Sequence, residues 1–138
     1  MQIYKKLTVW QKSHELTLRV YRASAGFHAH GHSALAGQMR RAAASVSANI
    51  AEGTGRSTSA QFANFLQQAL GSARELDYHL LLARDLELLS TTDHATLEAR
   101  TDQVTRMLVA LRRTVHDRAL THPPRKARKT GKSPGPQA

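Results

Sequence analysis

The chain has 138 residues, enough for one domain with a real core, but few enough that oligomerisation would add appreciably to its stability. It contains no cysteine, which excludes a disulfide framework and thiolate metal sites and fits a reducing compartment. No stretch approaches the roughly 20 apolar residues that span a bilayer. We therefore expect a soluble, cytoplasmic protein without a membrane partner.

The positive charge is unevenly distributed along the chain. The formal net charge is +10, from 20 Lys and Arg against 10 Asp and Glu. Residues 121–138 hold five of the basic residues, no acid and all four prolines. Because such a segment cannot bury apolar surface or hold a helix, it is predicted to be a disordered basic tail after a domain at residues 1–120. A tail of this kind either binds polyanions or only solvates the terminus.

Residues 1–120 lack proline and have few β-branched or aromatic clusters, which predicts helices separated by short breaks. The first helix is predicted over residues 8–25. The second is predicted to begin with Ser33 as its N-cap. It is predicted to end near Gly53 or Gly55, where glycine adopts a left-handed conformation at little cost.

The third helix is predicted to open after Ser57-Thr58-Ser59, where Thr58 and Gln61 have the spacing of a capping box. It continues to about Leu86, roughly 45 Å at 1.5 Å per residue. Asp93 is the predicted N-cap of the fourth helix. Four helices with short links predict an all-α protein, an antiparallel up-down four-helix bundle.

The second helix carries an apolar stripe beside a polar one when it is read at 3.6 residues per turn. Ala and Ser between the stripes allow a neighbouring helix to approach closely, which favours a tightly packed bundle or an oligomer interface. The polar stripe faces a second one on the third helix, and we expect a buried network or a subunit contact between them. The candidate residues of this structural polar network are Asn49, Glu52 and Glu75.

Basic side chains supply the candidate nucleic-acid contacts. Arg41 is expected to pair with a carboxylate such as Glu52 or Glu75, whereas Arg40, which points about 100 degrees away, is favoured for solvent and ligand. Few aromatic residues are available for base stacking, so sequence-specific readout of single strands is not expected. The predicted nucleic-acid-binding residues are Arg40, Arg41, Arg56, Lys5, Lys6 and Lys12.

No catalytic residue, cofactor or metal site is assigned. The alternating His28, His30 and His32 lie in a predicted loop without a fixed carboxylate, which is a weak metal-binding signal. Arg74 and His79 resemble the Arg-x(4 to 6)-His signature of the HEPN superfamily, which includes ribonucleases. Side chains five positions apart on a helix are rotated by about 140 degrees and do not converge. A HEPN-like ribonuclease is therefore the weaker alternative to a non-enzymatic function.

Several motifs occur in order along residues 4–118. They lie within residues 7–16, 38–45, 49–56 and 69–76, and the most specific are Arg-Arg-Ala-Ala and Asn-Ile-Ala-Glu-Gly-x-Gly-Arg. With these motifs the chain resembles the four-helix-bundle family of bacterial 23S rRNA intervening-sequence proteins. The resemblance places Arg40, Arg41 and Arg56 on the family's motif arginines, and Asn49, Glu52 and Glu75 on its motif polar residues.

The resemblance also implies a fold, an assembly and a set of partners. It implies an antiparallel four-helix bundle that assembles as a homopentameric barrel. Such proteins are encoded within rRNA intervening sequences or act as accessory variability proteins of diversity-generating retroelements, where relatives bind nucleic acid and a reverse transcriptase. We therefore predict a non-enzymatic, oligomeric scaffold that binds RNA or DNA through phosphate contacts. A purely structural helical assembly, whose basic tail is incidental, is the other alternative.

Overall fold

The computed structural model describes residues 3–121, and helix dominates that part of the chain. Short 3₁₀ turns occupy Ile3–Lys6 and Phe27–His30. The four long helices are α1 at Thr8–Ala23, α2 at Ser33–Thr54, α3 at Ser59–Asp85 and α4 at Thr91–Thr121. No strand occurs between residues 3 and 121, which confirms the predicted all-α class. Helix α4 extends one residue beyond the predicted domain boundary at 120, and the predicted disorder of the tail concerns residues beyond 121, outside the described ones.

The helices form an up-down bundle in which each is antiparallel to its neighbours. Ser13 Oγ on α1 lies 2.9 Å from Ser47 Oγ on α2. Ser45 Oγ on α2 lies 2.8 Å from Ser72 Oγ on α3. Helix α4 closes the bundle against both α3 and α1, and Arg100 on α4 donates to Glu15 on α1 over 3.0 Å. The predicted antiparallel four-helix bundle is thereby confirmed.

The core combines large branched side chains with alanines. Apolar positions repeat every three or four residues on each helix, which places them on the inward face. Alanines at positions such as 42, 43, 69 and 73 are also buried, and their small side chains leave room for neighbouring helices to pack closely. The largest fully buried side chains include Leu16, Met39, Ile50, Leu66, Leu76, Leu80 and Leu108.

The helix starts correct two sequence predictions and confirm one. Thr58 caps α3, since its side chain accepts from the Gln61 backbone N–H at 3.1 Å, as predicted. Ser33 is the first helical residue of α2 rather than its cap. Asp93 lies inside the first turn of α4, where its backbone N–H donates to Ser90 Oγ over 3.0 Å.

The two glycines at the end of α2 do not adopt the predicted left-handed conformation. Gly55 has a φ of −83°, and Gly53 lies within the helix. A Cβ atom built at Gly53 would meet Phe62 Cδ2 at 2.7 Å and Phe65 Cβ at 2.9 Å. Gly53 is therefore required by the close approach of α3 rather than by the backbone conformation. Within residues 3–121, no helix combines the length and apolar character that crossing a membrane requires.

Candidate nucleic-acid interface

The cations of the bundle are divided unequally along its long axis. The contacts Ser13–Ser47, Ser45–Ser72 and Glu15–Arg100 mark one level of the antiparallel bundle. On one side of that level lie residues 3–14, 45–71 and 103–121, which we call the basic half. It contains eight Lys and Arg against two acids, a net charge of +6. The remaining residues, 15–44 and 72–102, form the far half. It contains seven Lys and Arg against eight acids, a net charge of −1.

Four of the six predicted nucleic-acid contacts lie in the basic half. Lys5 and Lys6 are exposed on the first 3₁₀ turn. Lys12 is half-buried and lines an open groove between α1 and α4, together with Arg100 and Arg106. Arg56, just after α2, forms an exposed ion pair with Glu52, and its guanidinium lies 4.7 Å from the centre of the Phe65 ring.

Arg40 and Arg41 lie in the far half, and their environments are the reverse of the predicted ones. Arg40 is half-buried and ties α2 to α1, because its Nε donates to Ser24 Oγ over 2.9 Å and its Nη2 donates to the Tyr21 carbonyl over 3.1 Å. The same guanidinium lies 4.8 Å from the centre of the Tyr21 ring. Arg41 is exposed, and no ion pair joins it to Glu52, Glu75 or another acid within residues 3–121. The rotation of α2 thus directs Arg40 at α1 and leaves Arg41 in solvent.

The predicted polar network is smaller than the sequence pattern indicates. Asn49 Nδ2 donates to the Ser45 carbonyl over 2.9 Å and to Ser45 Oγ over 3.1 Å, and Ser45 joins Ser72 across the α2–α3 contact. Glu52 pairs with Arg56 instead of joining these three. Glu75 is exposed, and no ion pair of its carboxylate occurs in the described part of the chain. The half-buried seam between α2 and α3 therefore consists of two serines and one asparagine.

Four arginines of α4 complete the basic half, and the sequence reasoning missed them. Arg106 pairs with Asp102, whereas Arg112, Arg113 and Arg118 form no ion pair within residues 3–121. The available signal was the Arg112-Arg113 dipeptide, because antiparallel packing of α1 and α4 places it at the same end as Lys5 and Lys6. Thr121 also ends the described chain at this end, and residues 122–138, which include five basic residues, follow it in the sequence.

The residues of the alternative functions are not brought together. Helix α3 is continuous from Ser59 to Asp85, so nothing cancels the rotation between Arg74 and His79. Arg74 lines an open groove between α3 and α4, whereas His79 is half-buried outside that groove. His28 Nδ1 lies 3.2 Å from Ser33 Oγ. Among residues 3–121, no group of three or more His, Asp or Glu side chains has an arrangement that could hold a metal ion.

The fold and the charge distribution define a basic, all-α four-helix bundle. Residues 5–110 match the family described as 23S rRNA-intervening sequence protein, and the chain belongs to this family, as its motifs indicated. A crystal structure of a protein of unknown function from the S23 ribosomal protein family of Bacteroides thetaiotaomicron matches with a TM-score of 0.72 and 24% identity. The match covers 76% of this chain and 95% of that one, and it shows the shared fold. No curated protein matched the sequence.

Proposed function

We propose that this chain is a non-enzymatic, cytoplasmic scaffold that binds RNA or DNA through phosphate contacts made by the basic half. The observation that carries the proposal is the division of charge into a half with net charge +6 and a half with net charge −1. Duplex DNA carries one negative charge per about 1.7 Å of its axis, so a half of the bundle with a large excess of cations attracts it strongly. The far half supplies no comparable attraction, since its acids offset its cations.

The test compares two triple variants that remove the same charge from opposite halves. Binding of labelled structured RNA and duplex DNA is measured by fluorescence anisotropy at several salt concentrations. All six substituted residues are exposed and form no side-chain ion pair in the described part. The basic-half variant replaces Lys5, Lys6 and Arg113 by Gln, and the far-half variant replaces Arg22, Arg41 and Arg74 by Gln.

The basic-half variant is expected to lose much more affinity than the far-half variant. Its log-log salt slope on duplex DNA should fall by about 0.9 for each phosphate contact removed. Equal losses in the two variants would reduce the effect to overall net charge and contradict the assigned surface. Absence of salt-dependent binding by the full chain would contradict the function itself.

The contribution of the tail is separated by a chain that ends at Thr121. This shortened chain retains the whole basic half but lacks five of the 20 basic residues. Retained binding with a smaller salt slope supports the bundle as the site. Binding that disappears with residues 122–138 would instead support the alternative of a structural assembly with a nonspecific basic tail.

We also propose that the chain forms a homo-oligomer, with five subunits as the resemblance implies. The outer face of α2 supports this, because Gly37, Ala44 and Ala48 line an open groove of 570 Å³ beside Tyr21, which is 46% exposed. Small side chains there leave room for a neighbouring helix, and the tyrosine ring offers apolar area. Light scattering should give the mass of a pentamer and a smaller mass for Ala48→Arg. Gln67→Arg, at an exposed position on α3 outside this groove, is the control and should keep the mass of the unchanged protein. A monomer at all concentrations would refute the proposal.

In the retroelement setting that the resemblance implies, the proposed protein partner is a reverse transcriptase. The net positive surface supports a partner that itself carries bound nucleic acid. Co-expression of the two proteins followed by purification through a tag on the reverse transcriptase tests this pairing. Recovery that disappears after nuclease treatment would show a nucleic-acid bridge and would count against direct contact.

A further inference from the structure

Arg112 differs from the other half-buried arginines of the bundle because its side chain has no partner within residues 3–121. Four arginines are half-buried in the described part of the chain, at positions 19, 40, 100 and 112. Arg19 and Arg100 both pair with Glu15, and Arg40 is hydrogen-bonded to Ser24 and Tyr21. Arg112 forms no ion pair within residues 3–121, and its Nε is buried without a hydrogen-bond partner.

The position of Arg112 on α4 explains its burial. It follows the buried Leu108 by four residues and precedes the buried Val115 by three, so it lies at the edge of the inward face. Its aliphatic stem is therefore held by the packing of the bundle, as is common for long cationic side chains. Only Nε is buried without a partner, and the terminal nitrogens are left to face solvent.

No acid of the basic half is placed to neutralise Arg112. The half contains two acids, Glu52 and Asp117. Glu52 is already paired with Arg56. Asp117 lies five positions after Arg112 on the same helix, a rotation of about 140 degrees, so the two side chains point in different directions. The buried Nε therefore lacks a hydrogen-bond partner, and the chain offers no counter-charge to the solvent-facing end of the guanidinium, which leaves that end free for an external anion.

We propose that Arg112 is an anchored phosphate-binding residue that contacts a phosphodiester of bound nucleic acid through its terminal nitrogens. This inference rests on the function proposed above and names one specific contact within the basic half. A guanidinium presents paired N–H donors that match two oxygens of one phosphate. Because packing already restricts the Arg112 stem, binding immobilises fewer rotamers than it would for a freely exposed arginine. The neighbouring Arg113 and Arg118 supply attraction for the phosphates on either side.

The experiment compares Arg112→Met with Arg113→Met in the full chain. The two variants remove the same charge from adjacent positions, and methionine preserves much of the apolar stem. Affinity for labelled duplex DNA is measured by fluorescence anisotropy across a salt series. Loss of one charge-assisted contact should weaken binding by about tenfold or more for Arg112→Met, whereas Arg113→Met should weaken it by about threefold or less. Arg112→Lys should recover only part of the affinity, since a lysine lacks the planar fork.

A second measurement separates ligand binding from a structural role. Thermal unfolding without nucleic acid should give Arg112→Met a melting temperature equal to or above that of the unchanged protein, because a buried N–H without a hydrogen-bond partner has been removed. Equal losses of affinity in the two methionine variants would overturn the inference while leaving the proposed function intact. An unchanged affinity with an altered oligomeric mass would also overturn it and would assign Arg112 to a subunit contact. No salt-dependent binding by the unchanged protein would refute the function and this inference with it.

Discussion

The contact between α2 and α3 at Gly53 yields the most direct test of the fold, through the substitution Gly53→Ala. The added Cβ would lie 2.7 Å from Phe62 Cδ2 and 2.9 Å from Phe65 Cβ. The Phe62 ring has some freedom to rotate, but Phe65 Cβ is bonded to the α3 backbone. Relief of the second contact therefore requires the two helices to separate.

Two opposing terms set the size of the effect. Alanine in place of glycine inside a helix stabilises by about 1 kcal/mol. Overpacking of a well-packed contact costs about 1–3 kcal/mol. Because Phe65 Cβ cannot move independently of the α3 backbone, we expect the cost for Gly53→Ala to lie toward the upper end of this range. We expect the free energy of unfolding to fall by about 1–2 kcal/mol. Urea unfolding followed by circular dichroism measures this change.

Gly71→Ala on α3 is the matched control. Gly71 is exposed, and a Cβ built there meets nothing within 4 Å. Only the helix-propensity term then applies, so this variant should be more stable than the unchanged protein by about 0.5–1 kcal/mol. Gly53→Ala with a stability equal to that of Gly71→Ala would refute the assignment of Gly53 to close helix packing.

Three further predictions concern the hydrogen bonds that join or end the helices. Thr58→Ala removes the hydroxyl that accepts a hydrogen bond from the Gln61 backbone N–H, and it should lower the free energy of unfolding by about 1 kcal/mol. No change in urea unfolding would show that water can replace this cap. A double-mutant cycle of Ser45→Ala and Ser72→Ala should give a coupling of about 1 kcal/mol, and additive effects would contradict a direct hydrogen bond. Arg40→Met should lower the free energy of unfolding by about 1–2 kcal/mol and leave nucleic-acid affinity nearly unchanged. An affinity loss larger than that of the basic-half variant would show that Arg40 contacts nucleic acid.

The sequence predicts the helices because their signals are local. Apolar spacing of three and four residues and the capping pair Thr58 and Gln61 act within a few turns of one helix. The predictions of Ser33 and Asp93 as caps are wrong because several polar residues compete near each helix start. The choice among them depends on the backbone dihedrals that the preceding turn adopts. Short links between four amphipathic helices then left an up-down bundle as the simplest arrangement.

By itself, the sequence determined the helical class, the number of long helices, the excess of positive charge and the family motifs, since each is encoded in local spacing or composition. The tertiary structure decided which of two adjacent arginines, Arg40 or Arg41, meets a neighbouring helix, because this depends on the rotation of α2 about its axis. It also decided that Lys5 and Lys6 share one end with Arg112 and Arg113, more than 100 residues along the chain. That juxtaposition follows from the antiparallel closure of α4 onto α1, and no local pattern contains it.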